Sequence, residues 1–311
     1  MAQYILKRFV AMMITLWVII TLTFFLMNLI PGSPFDQERQ TNETVQANLE
    51  KFYKLDQPLP VQYFSYLKSI VTLDFGPSLV KSTQTVNEML SSGFPISFEL
   101  GALTLIVATL SGMTLGVIAA LRHNGIVDYL AMTIAVLGIS VPNFILATMF
   151  IQKLSVDWQL FPAATWSSPM HMVLPTLALA TGPMAIIARL TRSSMLEVLT
   201  QDYIKTAKAK GLSPLKIIFK HALRNALLPV VTVLGALAAG ILTGTFVIEK
   251  IFAIPGMGKY FVESINTRDY PVIMATTVFY GAILIFMLFL VDIIYGILDP
   301  RIKLHKKEGK G

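Results

Sequence analysis

Between Arg189 and Arg224 eight lysines and arginines stand against two carboxylates, in a chain where only 14% of residues are charged. Cations at this density do electrostatic work: they seat on an acidic protein surface or on anionic lipid, where each is worth about 1 kcal/mol. Residues for covalent or metal chemistry lack partners. His123, His171, His221 and His305 are dispersed, with no pair at ligand spacing, and cysteine is absent. Thiolate metal sites, thiol redox chemistry and disulfides are therefore excluded. The serines and aspartates show no nucleophile–base arrangement. A nucleotide-cradling P-loop is missing too, because Gly256-Met257-Gly258-Lys259 is too short to form one. The expectation is a chain that is not an enzyme and holds no cofactor or metal of its own.

The elements that position these cations read as two short helices. The first is expected from about Ser193 to Lys210, stopping at Gly211, the usual residue beyond a helix C-terminus. Ser213 can then cap a second helix that has Pro214 in its first turn. In that helix Leu215, Ile218, Phe219, Ala222, Leu223 and Ala226 follow helical spacing, and Lys216, Lys220 and Arg224 fall on a different face. The pair forms an elbow over residues 193–228. On spacing alone it fits either a lipid-facing amphipathic helix or a docking surface for a protein that drives the chain.

The rest of the sequence places this elbow beside a membrane. Of 311 residues 54% are hydrophobic, against a charged fraction well below the roughly 25% of soluble domains. Six runs free of Lys, Arg, Asp and Glu are long enough to cross hydrocarbon: Phe9–Ile30, Leu100–Leu121, Tyr129–Gln152, Met172–Ala188, Pro229–Ile248 and Val272–Val291. They are continuous rather than alternating, so an all-α integral membrane protein with six transmembrane helices is expected, not a barrel. The first run is too long for a signal peptide and lacks a cleavage site. Sixteen Lys/Arg fall on the side of the termini and the elbow, nine on the other. Both termini are thus expected in the cytoplasm of a multi-pass cell-membrane protein. The net charge of +7 follows from this topology and implies no nucleic acid.

Residues 1–30 are read as a cytoplasmic N-terminus with the first span, and 31–97 as an external segment. Residues 98–298 carry the other five spans, and 299–311 form a cytoplasmic tail. In the external segment Val45, Leu49, Phe52 and Tyr53 recur at helical spacing, as do Val61, Phe64, Leu67 and Val71 after Pro60. A unit this small rarely builds its own core, so it is expected to lean on the bundle or on an external partner. Ser140, Pro142, Asn143 and Phe144 mark a kink in the third span that either lines a translocation path or packs between helices. Pro175, Gly182 and Pro183 in the fourth span share that ambiguity. Gly235, Gly240 and Gly244 offer a small-residue face for close helix approach. Asp292, at the inner end of the sixth span, is expected to reach the interface or a basic partner.

The elbow resembles the cytoplasmic "EAA" loop of ATP-binding-cassette importer permeases, in particular the peptide/nickel group. Thr206-Ala207 and Gly211 stand at that motif's small residues and glycine. Lys205 occupies the place of its acidic residue, and Pro229 lies further from Gly211 than in the general pattern, both as in peptide permeases. Further matches run in order along the chain: Pro31-Gly32-Ser33-Pro34, Leu55-Asp56-Gln57-Pro58-Leu59, Leu73-Asp74-Phe75-Gly76-Pro77-Ser78 and Ser140-Val141-Pro142-Asn143-Phe144. Phe252-Ala253-Ile254-Pro255-Gly256-Met257-Gly258, Arg268-Asp269-Tyr270-Pro271 and Leu298-Asp299-Pro300-Arg301 complete the series. The chain is identified as similar to the B-type permeases of oligopeptide and dipeptide importers. That resemblance implies a type I importer permease fold, with Asp202, Lys205, Thr206, Ala207, Lys208, Gly211, Ser213 and Pro214 in the ATPase-coupling loop. It also implies a second homologous permease subunit, two ATPase subunits that bind ATP and Mg, and an extracytoplasmic peptide-binding protein. A nickel or glutathione importer of the same group is the alternative, and an ion-coupled secondary carrier a more distant one.

Overall fold

A computed structural model describes residues 2–29, 43–81, 83–243 and 245–298. Pro31-Gly32-Ser33-Pro34, Gly244, Asp299-Pro300-Arg301, His305 and the basic tail Lys303–Lys310 lie outside the described residues. The described chain is helical apart from an isolated bridge between Pro77 and Thr85. In order it forms α1 (Ala2–Leu29), α2 (Glu43–Tyr53), α3 (Leu59–Thr72), α4 (Val86–Leu121), α5 (Ile126–Ser140) and α6 (Asn143–Phe150). A π-helical turn, Ile151–Asp157, extends α6. Next come α7 (Pro169–Leu199), α8 (Asp202–Ala209) and α9 (Pro214–Lys216), a second π-helical stretch Ile217–Ala222, and α10 (Leu223–Ala226). The chain continues through α11 (Leu228–Thr243), α12 (Phe246–Ile251), α13 (Met257–Thr267) and α14 (Tyr270–Leu298).

Two compact units divide these helices, one of Met1–Ser97 with Ile254–Phe286, the other of Phe98–Ala253 with Met287–Gly311. In the first unit α3 packs on α1 and α14 through Ile20, Phe24, Tyr66 and Val278, with Tyr63, Leu67, Ile70 and Met274 around them. Tyr63 and Thr21 share a hydroxyl hydrogen bond of 2.7 Å. Of the set read from spacing Leu67 packs inward, whereas Val61, Phe64 and Val71 are exposed. The inner side is taken by Tyr63 and Tyr66, each with a large ring to bury. For α2, Phe52 is exposed, while the side chains of Val45 and Leu49 lie outside the described residues.

Two separately read motifs meet in this unit. The buried Asp269 carboxylate accepts hydrogen bonds from the Ser78 hydroxyl and from the Leu79 amide at 3.2 Å. Burial pushes the Asp269 carboxyl above its ordinary range, and these bonds pull it back. Lys81 and Glu263 form an ion pair of 2.9 Å nearby. Met257 donates its amide to Ser97 at 2.9 Å, fixing the loop that carries Pro255 and Gly256.

In the second unit α7 is the central element, with buried Leu174, Ala178, Ala185, Ile187, Ala188 and Met195 along it. Pro175 and Pro183 do not interrupt it. Gly235 brings α11 against α14, since a Cβ there would stand 2.0 Å from a Val291 methyl, whereas at Gly240 a Cβ would meet nothing within 4 Å.

Among the described residues four single helices are long and apolar enough to cross a membrane: Tyr4–Leu29, Val86–Leu121, Pro169–Leu199 and Tyr270–Ile293. The expected third span is a bent pair instead, Ile126–Ser140 with Asn143–Asp157 at 104°, and the expected fifth begins at Leu228 and runs to Leu242 at 52° to the elbow segment Pro214–Ala226, giving up to six spans among the described residues. Pro142 makes the first break. It has no N–H to return to the Gly138 carbonyl, and it forces Val141 to an extended ψ of 120°.

Close approach of α4 to α7 depends on Gly116, where a Cβ would stand 2.5 Å from the Ala188 carbonyl oxygen and 2.6 Å from Thr191 Cβ. Gly116→Val is expected to cost about 1–3 kcal/mol by overpacking. The check is a lowered thermal unfolding midpoint of the detergent-solubilised chain.

Candidate functional site

The elbow belongs to the second unit, and three joints set its shape. The first differs from the expectation. α7 runs on through Ser193 to Leu199, and the chain breaks at Thr200–Gln201, where Gln201 is extended (ψ 150°) and its carbonyl accepts the amides of Ile204 and Lys205. The expected helix from Ser193 to Lys210 is therefore two helices, because a Thr-Gln pair beside Asp202 serves better as a helix entry than as an interior.

The second joint is the glycine turn. Gly211 has φ +73°, its amide bonds the Lys208 carbonyl at 2.9 Å, and the Leu212 amide bonds that of Ala207 at 3.3 Å. This double closure satisfies carbonyls that the end of α8 would otherwise leave open. Leu212 then packs on the cluster containing Ala207. The third joint is Ser213-Pro214. Ser213 takes the capping position (φ −61°, ψ 146°), but its hydroxyl makes no capping bond. Its carbonyl receives the Ile217 amide at 3.1 Å, with Pro214 in the first turn.

Met195, Ile204, Ala207, Ile217, Ala222 and Ala226 are buried together with Ala120 of α4. Asn225 donates to the Tyr203 hydroxyl at 2.8 Å and ties α10 back to α8. Of the expected apolar face Ala222 and Ala226 are buried and Ile218 and Leu223 pack on this cluster, whereas Leu215 and Phe219 are 68% and 65% exposed. Bonding from residue i to i+5 through Ile217–Ala222 turns Ile217 inward and Leu215 and Phe219 outward, a shift that a 3.6-residue template does not anticipate. The two exposed side chains lie beside the exposed Lys216, Lys220 and Arg224. Asp202, Lys205, Thr206 and Lys208 are exposed as well, while Ala207 is buried. Lys205 is held by Asp202 at 2.8 Å, and Thr206 bonds the Asp202 carbonyl at 3.0 Å.

Arg192 does not join this cationic surface. Its Nε and Nη2 reach the two oxygens of Asp128 at 2.6 and 2.7 Å, and Asp128, 2% exposed, also accepts the Asn124 amide at 3.0 Å. His123 Nδ1 lies 3.3 Å from Asp128 Oδ2 and 3.1 Å from Arg192 Nη2. A bidentate pair of this kind fixes the α4–α5 turn to α7. Sequence reading missed it because its members stand 64 residues apart; the only signal was an acid in the first turn of an otherwise apolar helix.

Ser140, Pro142, Asn143 and Phe144 line the α5–α6 bend and are all exposed. Ser140 donates to the Val136 carbonyl at 2.8 Å. Among the described residues they share no hydrogen bond or buried cluster with the elbow.

Comparison with known proteins places the chain as a whole. Residues 112–304 match the family described as binding-protein-dependent transport system inner membrane component, and residues 1–100 match the N-terminal family of the same components. The chain belongs to this family. It is a membrane-spanning, all-α permease component with the fold of type I importers. It is 73% identical over 307 residues to the dipeptide transport system permease protein DppB of Bacillus subtilis, covering 99% of this chain and 100% of that one. To the oligopeptide transport system permease protein OppB of Haemophilus influenzae it is 44% identical, covering 97% and 100%. An inward-facing MetNI methionine ABC transporter superposes with a TM-score of 0.56 at 18% identity, over 68% of this chain and 96% of that one, and shows the fold alone.

Within this permease component the Asp128–Arg192 pair is a costly polar interaction to break. Asp128→Ala strands a guanidinium in a largely apolar setting and is expected to destabilise by about 3 kcal/mol, toward the lower end for buried pairs because Arg192 keeps one side open. Thermal scanning of the purified chain checks it; an unshifted midpoint contradicts it.

Proposed function

We propose that this chain is the membrane-spanning permease subunit of an ATP-driven importer of short peptides, which an extracytoplasmic binding protein delivers. Separate ATPase subunits drive it through residues 193–228. The observation that carries the reading is the elbow: a stiff pair of helices presenting the exposed Leu215 and Phe219 among Lys208, Lys216, Lys220 and Arg224, which have no ion-pair partner among the described residues. The dipeptide and oligopeptide permeases that match over 99% and 97% of the chain support peptide as cargo. In this reading both termini and the elbow face the cytoplasm, as the Lys/Arg distribution favours. The complex holds a second homologous permease and two ATPases, with ATP and Mg bound on the latter. Ser140, Pro142, Asn143 and Phe144 line the peptide's path.

The roles of the elbow residues follow from their positions. Leu215 and Phe219 supply the apolar anchors that dominate interface energies, and Lys208, Lys216, Lys220 and Arg224 steer an acidic groove onto them. Asp202 and Lys205 hold the start of α8. Thr206 and Ala207 keep it narrow enough to pack, and Gly211, Ser213 and Pro214 set the angle of the elbow. Nucleotide binding moves the permease only through a difference in affinity between its two conformations, so the connecting element has to be rigid.

Phe219→Ala is expected to weaken ATPase association by about 2 kcal/mol, roughly thirtyfold, read by co-purification and titration of the ATPase subunits. Gly211→Val places a β-branched residue at a left-handed position, at about 1–2 kcal/mol, and Lys208→Glu reverses a steering charge. Both are expected to depress ATP-dependent uptake of a labelled dipeptide into reconstituted vesicles. Unchanged uptake in both variants removes the lever from the mechanism.

A further inference from the structure

The first unit contains a cavity of about 230 Å³ that the coupling mechanism does not use. Protein interiors hold few voids larger than a water molecule, and an apolar hole of ~150 Å³ already admits benzene. Aromatic rings wall this one, from Phe24 of α1, Phe52 and Tyr53 of α2, Tyr66 of α3 and Phe75. The wall is preorganised. Tyr53 donates its hydroxyl to the Phe75 carbonyl at 3.0 Å, and Phe24 stacks on Tyr66 with centroids 5.7 Å apart. Lys68 and Asp74 also line the cavity, yet both are exposed and therefore stand at its mouth. Among the described residues neither has an ion-pair partner, and the Asp74 carboxylate accepts only the Gly76 amide, at 3.2 Å.

An aromatic chamber with one cation and one anion at its entrance is complementary to a zwitterion bearing an apolar side chain. We infer that this cavity is a second cargo subsite, carried by the permease itself, for a free dipeptide with an aromatic residue. The ring occupies the chamber, the α-carboxylate meets Lys68, and the α-ammonium meets Asp74. This rests on the peptide-importer reading above and specifies which cargo the permease can hold without the binding protein.

The test uses the assembled complex in lipid nanodiscs with the binding protein omitted, and tritiated alanyl-phenylalanine as probe. Saturable binding is expected. Ser65→Phe, which fills the chamber from a half-buried lining position, should abolish it. Lys68→Gln and Asp74→Asn should each weaken it by about tenfold, the worth of one charge-assisted contact. Acetyl-alanyl-phenylalanine amide, which lacks both charges, should bind still less. Absence of saturable binding overturns the inference, as does binding that survives Ser65→Phe. Equal binding of the uncharged analogue, or equal competition by an alkyl glucoside, overturns it in favour of a purely apolar lipid or detergent site. Binding-protein-dependent, ATP-driven uptake of the same dipeptide, measured in parallel, tests the importer reading separately. Uptake without this subsite would leave that reading standing, whereas loss of uptake in the unsubstituted complex would fail it.

Discussion

Hydrocarbon offers a backbone amide nothing to bond with, so the positions at which this chain interrupts its helices are the decisions on which the rest of the structure depends. Long α4 and α7 run on through Pro95, Pro175 and Pro183 and need help only at the carbonyl that each proline leaves without its helical partner. The α5–α6 bend needs more of it. Val141 returns its amide to Leu137 at 3.0 Å, and the Pro142 carbonyl takes the amides of Ile145 and Leu146 at 3.0 and 3.2 Å, so both sides of the break are re-closed within a few residues. Gly138 lies just ahead of it, where a Cβ would stand 3.0 Å from the Thr181 carbonyl, so α5 is seated on α7 before it turns away. A right-angle turn in an apolar helix thus costs few unsatisfied groups, and it leaves Asn143 and Phe144 exposed.

The elbow solves the opposite problem, which is to be stiff while almost everything around it is polar. Its core is small, with Ala120, Ala207, Ala222 and Ala226 closing around Ile204, Ile217 and Met195. Alanines let short helices approach closely enough for one isoleucine per helix to suffice. The glycine turn, the Asn225–Tyr203 bond and the proline entry remove the torsions through which such a pair would fold or open. Stiffness here comes from fixed backbone angles more than from buried area, which suits a part that has to present its large side chains outward.

Much of this was legible in the sequence, for physical reasons specific to each element. Charge-free runs announce spans because a charge in hydrocarbon is expensive, and Gly211 with Pro214 announces a turn because few other residues take those angles without strain. Pro142 likewise announced its break, although not a bend of 104°. Three kinds of feature were not fully legible. The inner face of α3 was only partly legible because spacing counts apolar atoms, whereas Tyr63 and Tyr66 bury their rings there beside Leu67, and the Tyr63 hydroxyl bonds Thr21. The face of the segment after Pro214 was legible at Ala222 and Ala226 but misread at Leu215 and Phe219, because a π-helical stretch changes the period and turns Ile217 inward without any signal in the residue types. Ser78 with Asp269 and Asp128 with Arg192 were invisible because they join distant positions through packing that only the folded chain supplies.

The Asp128–Arg192 pair also redistributes the charge from which the functional reading began. Of the eight cations counted from Arg189 to Arg224, Arg192 is committed to Asp128 and Lys205 to Asp202. Arg189 stands ahead of the elbow on α7, and within the elbow Lys208, Lys210, Lys216, Lys220 and Arg224 remain; among the described residues none of these six has an ion-pair partner. The five within the elbow follow α8's buried Ala207 or flank Leu215 and Phe219, so the open positive field is concentrated at and beyond the glycine turn rather than spread along the loop. A surface meant only for anionic lipid gains nothing from an angle fixed by a left-handed glycine, because lipid headgroups rearrange around whatever is offered. A protein groove does not rearrange, and it rewards an apolar pair held at one orientation inside a ring of cations. Rigidity and charge placement together therefore argue for a shaped, acidic protein partner at this elbow.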